Sequence, residues 1–169
     1  MSIINVVGAK IWGGGEQYVY DICKQLQQRH RTAYILVDQS NEDMQSRYAQ
    51  VGHVMTANLY TLKGFLSVNA VAKQVKEQGI NTIVCHSGKY ILFCIALKQL
   101  TGAKLVFIKH NLVPGKTDMY HRWINAQVDA FVCVSKLVYD DLMTPVIKDT
   151  SKYHVVHNGI DPNRFQSFS

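Results

Sequence analysis

Apolar residues in this chain come in short runs separated by longer amphipathic stretches. Ile3-Ile4-Asn5-Val6-Val7 has the length of a buried strand and ends at Gly8. From Glu16 the period changes: Val19, Ile22, Cys23 and Leu26 recur at spacings of three and four, with polar residues on the other faces, as in an amphipathic helix. The alternation continues to the end. Strands are predicted over Thr32–Val37, Asn81–Cys85, Lys104–Ile108, Ala130–Val134 and Tyr153–Val156. Helices are predicted over Gly64–Gln78, Lys89–Leu100, Asp118–Gln127 and from the Ser135 cap to Met143. Gly79 and Gly102 close two of these helices. In the helix from Gly64, residues Leu66, Ala70, Val71 and Val75 are expected to face inward. Between Gln39 and Asn58 the pattern is weaker; a short helix over Glu42–Ala49 and a strand over His53–Ala57 fit it best.

Strands that alternate with helices require a mostly parallel sheet covered on both faces. With right-handed crossovers the expected fold is α/β, a doubly wound, Rossmann-like sheet. The 169 residues fit one domain with a core that needs no staples. Apolar content of 47% against 18% charged residues excludes a disordered chain. The cysteines Cys23, Cys85, Cys94 and Cys133 form no C-x-x-C pair and read as small buried hydrophobes, as in a reducing compartment. No apolar run approaches the ~18 residues of a membrane span. A cytoplasmic protein is expected, with room for peripheral contact with a membrane. The 18 basic residues against 12 acidic ones give a net charge of +6, which favours anionic partners.

In such a sheet, ligands gather beyond the carboxyl ends of the strands. The first such loop, Gly8 to Glu16, places Gly13, Gly14 and Gly15 before a helix N-terminus, where backbone N–H groups and the helix dipole favour an anion. It is not a P-loop, since no Lys-Ser/Thr pair follows its glycines, and the Gly8-to-Gly13 spacing fails the dinucleotide fingerprint. Asp38 ends the second strand, where a ribose-binding acid would sit, so a nucleotide-dependent oxidoreductase stays open as an alternative. His86 and His110 end two further strands beside Ser87, Gly88, Lys89, Lys109 and Asn111, and suit hydroxyl or phosphate contact or proton transfer near neutral pH. No carboxylate or cysteine joins them at metal-ligand spacing, so no metal is expected. Ser135 reads first as a helix N-cap and lacks the G-x-S-x-G context of a hydrolase elbow. Lys104, Lys109, Lys116 and Arg122, with Met119, Tyr120 and Trp123, form either a solvated helix face or a patch for anionic or membrane surfaces.

Together these segments resemble the N-terminal domain of a GT-B glycosyltransferase of the family-4-like retaining group. Gly13-Gly14-Gly15-Glu16 is similar to that group's Gly-Gly-x-Glu loop, and Ile108-Lys109-His110-Asn111 to its strand ending in histidine. Asp129 to Ser135 resembles its Asp-to-Ser strand, and Asn158-Gly159-Ile160-Asp161, with Phe165, its exit into the interdomain linker. Two departures stand out: His157 occupies a position where the group more often carries proline, and Gln39 to Lys63 matches nothing in it.

The resemblance implies a domain over residues 1–157 and the start of a linker over 158–169, with Asn158, Gly159 and Asp161 at the cleft. It further implies a donor-binding C-terminal domain absent from this chain, so that the chain alone would be inactive. His110 is the implied catalytic residue. Gly13, Gly14, Gly15, Glu16, His86, Lys89, Lys109, Asn111 and Ser135 are the implied donor-diphosphate and acceptor contacts. The implied reaction moves a sugar, with retention, from a nucleotide-sugar (UDP- or GDP-linked) to a sugar or lipid-linked acceptor. It uses no metal and no tightly bound cofactor, and nucleic acid is not among the partners. A non-catalytic accessory or regulatory subunit of the same fold is the alternative.

Overall fold

The structure, a computed structural model, describes residues 2–60, 64–143 and 150–159, apart from the side chain of residue 65. Seven strands form one sheet: β1 (Ile3–Val7), β2 (Tyr34–Asp38), β3 (His53–Ala57), β4 (Thr82–Cys85), β5 (Lys104–Lys109), β6 (Ala130–Cys133) and β7 (Tyr153–Val155). Their order is β3-β2-β1-β4-β5-β6-β7, and every pairing is parallel. Six α-helices connect them: α1 (Gly14–Gln28), α2 (Glu42–Tyr48), α3 (Gly64–Glu77), α4 (Ile91–Thr101), α5 (Met119–Gln127) and α6 (Lys136–Leu142). The expected doubly wound α/β sheet is therefore present, including the helix and strand in the weakly patterned stretch after Gln39.

The strand order places helices on the two faces in unequal numbers. α1 and α2 lead outward from β1 to β3 and bury Val19, Cys23, Met44 and Tyr48 against Val7, Ile35 and Val37. α3 to α6 lead the other way and bury Val71, Val75, Phe93, Ile124 and Val138 against Ile4, Leu36, Ile83 and Leu105. Neighbouring residues of one strand, such as Val6 and Val7, thus serve opposite cores, as the period of two requires. One expectation fails in α3. Leu66 is 80% exposed and Ala70 is also exposed, while Val68 and Ala72 turn inward with Val71 and Val75. The 3.6-residue period carries 68, 71, 72 and 75 on one stripe, so the inward face is rotated from the one expected.

Local chemistry fixes the ends of the elements. Asn41, Asp118 and Ser135 cap α2, α5 and α6 by accepting from backbone N–H groups of Met44, His121 and Val138. Gly102 ends α4 in the left-handed conformation, at φ 72°. Asp129 ties the start of β6 to its surroundings: Oδ2 accepts from Leu105 N–H and from Lys98 Nζ, both at 2.7 Å. All four cysteines are buried and free. Among the described residues no helix is long and apolar enough to cross a membrane.

Candidate functional site

The order of strand addition reverses at β1, which lies between β2 and β4, and a crevice opens beyond the carboxyl ends of the strands there. His86 follows β4 by one residue and His110 follows β5 by one. Register brings them together. Asn5 of β1 is paired with Val84, and Val84 with Val106. Residues an even number of positions further along point to the same face, so Asn5, His86 and His110 share the α1 side of the sheet.

The side chains meet there as a chain of polar contacts. His86 Nε2 lies 3.1 Å from Asn5 Oδ1, and His86 Nδ1 lies 3.0 Å from His110 Nε2. The two imidazoles meet edge to edge and close to coplanar, with centroids 5.3 Å apart and planes 23° from parallel. Tyr18 of α1 sets its ring edgewise against His110 at 5.1 Å and against His86 at 6.3 Å. Asn5 itself is buried and points its amide nitrogen at Cys23 Sγ, 3.9 Å away. Burial pushes His86 down to about 3, with the neighbouring His110 adding in the same direction, and burial also lowers His110. Both rings are therefore neutral near pH 7.

This pair opens on a cleft of about 640 Å³, lined also by Gly14, Gly15, Glu16, Lys89, Lys109 and Asn111. Eight of the ten residues expected at the chemistry thus share one cavity wall: those six and the two histidines. Gly13 stands just behind as the N-cap of α1, its N–H donating to Glu16 Oε2 at 3.1 Å. Glu16 so spends its carboxylate on its own helix start, a favourable place for negative charge. Gly15 packs near the His110 ring, where an added Cβ would sit 3.9 Å from Cγ and Cδ2. Lys109 Nζ donates to Val113 O at 2.7 Å and so ties down the loop after β5; burial lowers its pKa. Ser135 lies away from this wall, and its Oγ accepts from Val138 N–H at 3.2 Å as the cap of α6. Asn158 and Gly159 are exposed past β7, and Asp161 lies outside the described residues.

Asp38 does not offer a ribose-binding carboxylate. It is buried, Oδ2 accepts from Leu59 N–H at 2.9 Å, and Oδ1 accepts from the Ser40 N–H and hydroxyl. Burial works against its charge, but those hydrogen bonds outweigh it and keep the pKa low. Its role is to close the turn after β2.

Two residues of the site escaped the sequence reading. Asn5 carried a signal, since it is the single polar residue inside an apolar strand run. Buried polar groups need partners, and such an interruption asks for one. Tyr18 carried none, because an aromatic residue in an amphipathic helix reads equally well as packing.

The sequence profile of Glycosyltransferase Family 4 matches residues 12–164. No individual curated protein matches the chain at a significant level. Among solved structures, a glycosyltransferase from Rickettsia africae ESF-5 is similar over 98% of this chain and 48% of its own, with TM-score 0.79 and 17% identity. Anabaena Alr3699/HepE, in complex with UDP and glucose, is similar over 96% of this chain and 46% of its own, with TM-score 0.73 and 16% identity. Acinetobacter baumannii MurG is similar over 95% and 47%, with TM-score 0.63 and 10% identity. The chain thus spans about half the length of these structures.

Proposed function

We propose, because the chain belongs to glycosyltransferase family 4, that it is the acceptor-side half of an enzyme that moves a sugar, with retention, from a nucleotide-sugar to a glycan or lipid-linked acceptor. The observation that carries this reading is the convergence of His110, His86 and the Gly14-Gly15 helix start on one cleft. The helix start offers N–H groups to the donor's diphosphate. A neutral His110 offers a hydrogen-bonding nitrogen to a hydroxyl of the acceptor or of the transferred sugar. The nucleotide itself is held by a donor-binding domain beyond these residues, with a UDP- or GDP-linked sugar as substrate. The complexes of Anabaena HepE with UDP and with UDP-glucose support a uridine nucleotide in a protein of this fold.

The same cleft suggests where the acceptor comes from. Its rim includes Val113, Lys116 and Tyr120, next to Met119, which is 87% exposed, and to Leu112, Arg122 and Trp123, all exposed. Apolar side chains interleaved with cations suit an anionic membrane surface, here the cytoplasmic face, on which a lipid-linked acceptor would be presented.

The test is direct. The chain is applied to a glycan array and titrated calorimetrically with UDP-glucose and GDP-mannose. Glycan binding that His110→Ala weakens, with no tight nucleotide-sugar binding by the 169 residues, is the expected result. Tight nucleotide-sugar binding without any glycan binding would reverse the assignment of halves. In the enzyme with its donor domain, His110→Ala is expected to lower transfer by ~10²-fold or more. An unchanged rate removes His110 from the reaction.

A further inference from the structure

The chain of contacts behind the cleft has a direction, and the direction decides what His110 can do. A neutral imidazole carries one N–H donor and one lone-pair acceptor. His86 has both nitrogens engaged, one with Asn5 Oδ1 and one with His110 Nε2. A carbonyl oxygen can only accept, so His86 Nε2 carries the proton. His86 Nδ1 is then the acceptor, and the proton in its contact with His110 belongs to His110 Nε2. That leaves the lone pair of His110 on Nδ1. Nδ1 has no hydrogen-bond partner among the described residues. The one buried side-chain polar atom there without a partner is Asp141 Oδ2, so His110 Nδ1 is open to solvent. His110 also lines the cleft.

We propose that Asn5 and His86 are positioning residues that hold His110 in its Nε2–H tautomer, so that the cleft meets Nδ1 as a hydrogen-bond acceptor. This rests on the reading that His110 faces a substrate hydroxyl, and it adds which way that hydrogen bond runs: the hydroxyl donates and the ring accepts. Several observations make the relay rigid. Asn5 is 3% exposed on the central strand, with its amide nitrogen toward Cys23 Sγ and its Oδ1 toward His86. The in-plane contact between the two nearly coplanar rings and the packing of Tyr18 fix both imidazole planes. His86 stays neutral throughout the physiological range, because burial holds its pKa at about 3, so it cannot donate from both nitrogens at once. A reversed Asn5 amide would reverse every link and present the cleft with an Nδ1–H donor instead. The orientation of one buried amide behind the cleft thus selects between an acceptor and a donor at the substrate.

Long-range ¹⁵N–¹H correlation spectra of the histidine-labelled chain at pH 7.5 read the tautomers directly. Both His86 and His110 are expected as single Nε2–H forms with unprotonated Nδ1. Nδ1–H on either ring overturns the proposal. In Asn5→Leu, which removes the carbonyl and keeps the size, His110 is expected to change from one tautomer to a mixture of both. A folded Asn5→Leu protein with His110 still wholly Nε2–H would show that Asn5 does not set the tautomer. Should that variant fail to fold, the wild-type spectrum decides the matter alone. None of these readouts depends on sugar transfer. An inert His110→Ala substitution would defeat the functional reading while leaving the tautomers as they are, so the two failures are distinguishable.

Discussion

His86 makes the stability of the fold depend on pH in a window where few other groups act. The unfolded chain takes up a proton on this ring near pH 6.5, whereas in the folded protein uptake waits until about pH 3. Between those values the unfolded state binds more protons than the folded one, so stability falls as the pH is lowered. At pH 4.5 the difference amounts to nearly the full two pH units below 6.5, or about 3 kcal/mol at ~1.4 kcal/mol per unit. That figure is an upper value, since part of the residue's surface reaches solvent even though Asn5 and His110 enclose both ring nitrogens. His110, lowered by burial, adds a loss of the same sign. The low carboxylates Asp38 and Asp129 contribute stability that is kept above about pH 4 and is lost only below it. The interval from pH 7 to 4.5 is therefore a histidine window.

The perturbation is His86→Gln, which keeps hydrogen-bonding capacity and removes the titration. Urea unfolding is measured at half-unit steps from pH 7 to 4.5 for both proteins. The comparison is between slopes, because the substitution also changes stability at every pH. The histidines that do not touch His86 are common to both and cancel, and His110, its direct neighbour, is followed in each protein by its own NMR titration. The wild-type curve is expected to fall more steeply, by up to one additional proton across the window. Parallel curves, or an NMR titration of His86 with a midpoint near 6.5, would show that the ring is not held neutral, and the directed relay would lose its basis.

Other substitutions separate structure from function. Gly14→Ala meets open space, since nothing lies within 4 Å of an added Cβ; melting is expected unchanged or slightly raised, while transfer by the enzyme with its donor domain falls if a diphosphate approaches that backbone. Gly8→Ala would place its Cβ 2.8 Å from the buried Tyr90 ring and 2.9 Å from Tyr60 Oη, and about 1–3 kcal/mol of stability should be lost in urea melts. Ser135→Ala removes the α6 cap and is expected to cost about 1 kcal/mol, with glycan-array binding unchanged. The double variant Met119→Ser/Trp123→Ser is expected to lose co-sedimentation with phosphatidylglycerol vesicles while keeping its melting temperature within a few degrees; retained binding would remove this rim from the membrane contact.

The order and type of most elements were legible because most strands are compact apolar runs bounded by glycine or polar residues and most helices keep their own period, while α2 and β3, in the weakly patterned stretch after Gln39, showed it least. The inward face of α3 was not. Its stretch from Gly64 holds apolar residues at 65, 66, 68, 70, 71, 72 and 75, enough to draw two overlapping stripes, and only the sheet chooses between them. The histidines were legible as strand ends, but their contact was not. That contact requires β4 and β5 to be neighbours and requires the pairing Val84↔Val106, and both are properties of the assembled sheet. Asn5 lay 81 residues from its partner His86, so its purpose could be suspected from polarity and located only in three dimensions.

The segments that carry the family likeness divide by what they touch. Asp129 accepts from Leu105 N–H and Lys98 Nζ, and Ser135 caps α6, so the segment they bound holds β6 in register and shapes the fold. Glu16 accepts from Gly13 N–H and thereby sets the angle at which the glycine turn enters α1. His110, by contrast, keeps the ring nitrogen Nδ1 without a partner among the described residues, at the wall of the cleft. A residue whose hydrogen bonds are complete within the chain has its reason for being there already supplied by folding. One that keeps a nitrogen open beside a cavity, and that is braced by a buried amide, a second imidazole and an aromatic edge, carries bracing that stability alone does not require. The most specific chemistry of this chain therefore belongs to His110, and the residues that give His110 its character lie behind it: Asn5 in β1, His86 at the end of β4 and Tyr18 on α1.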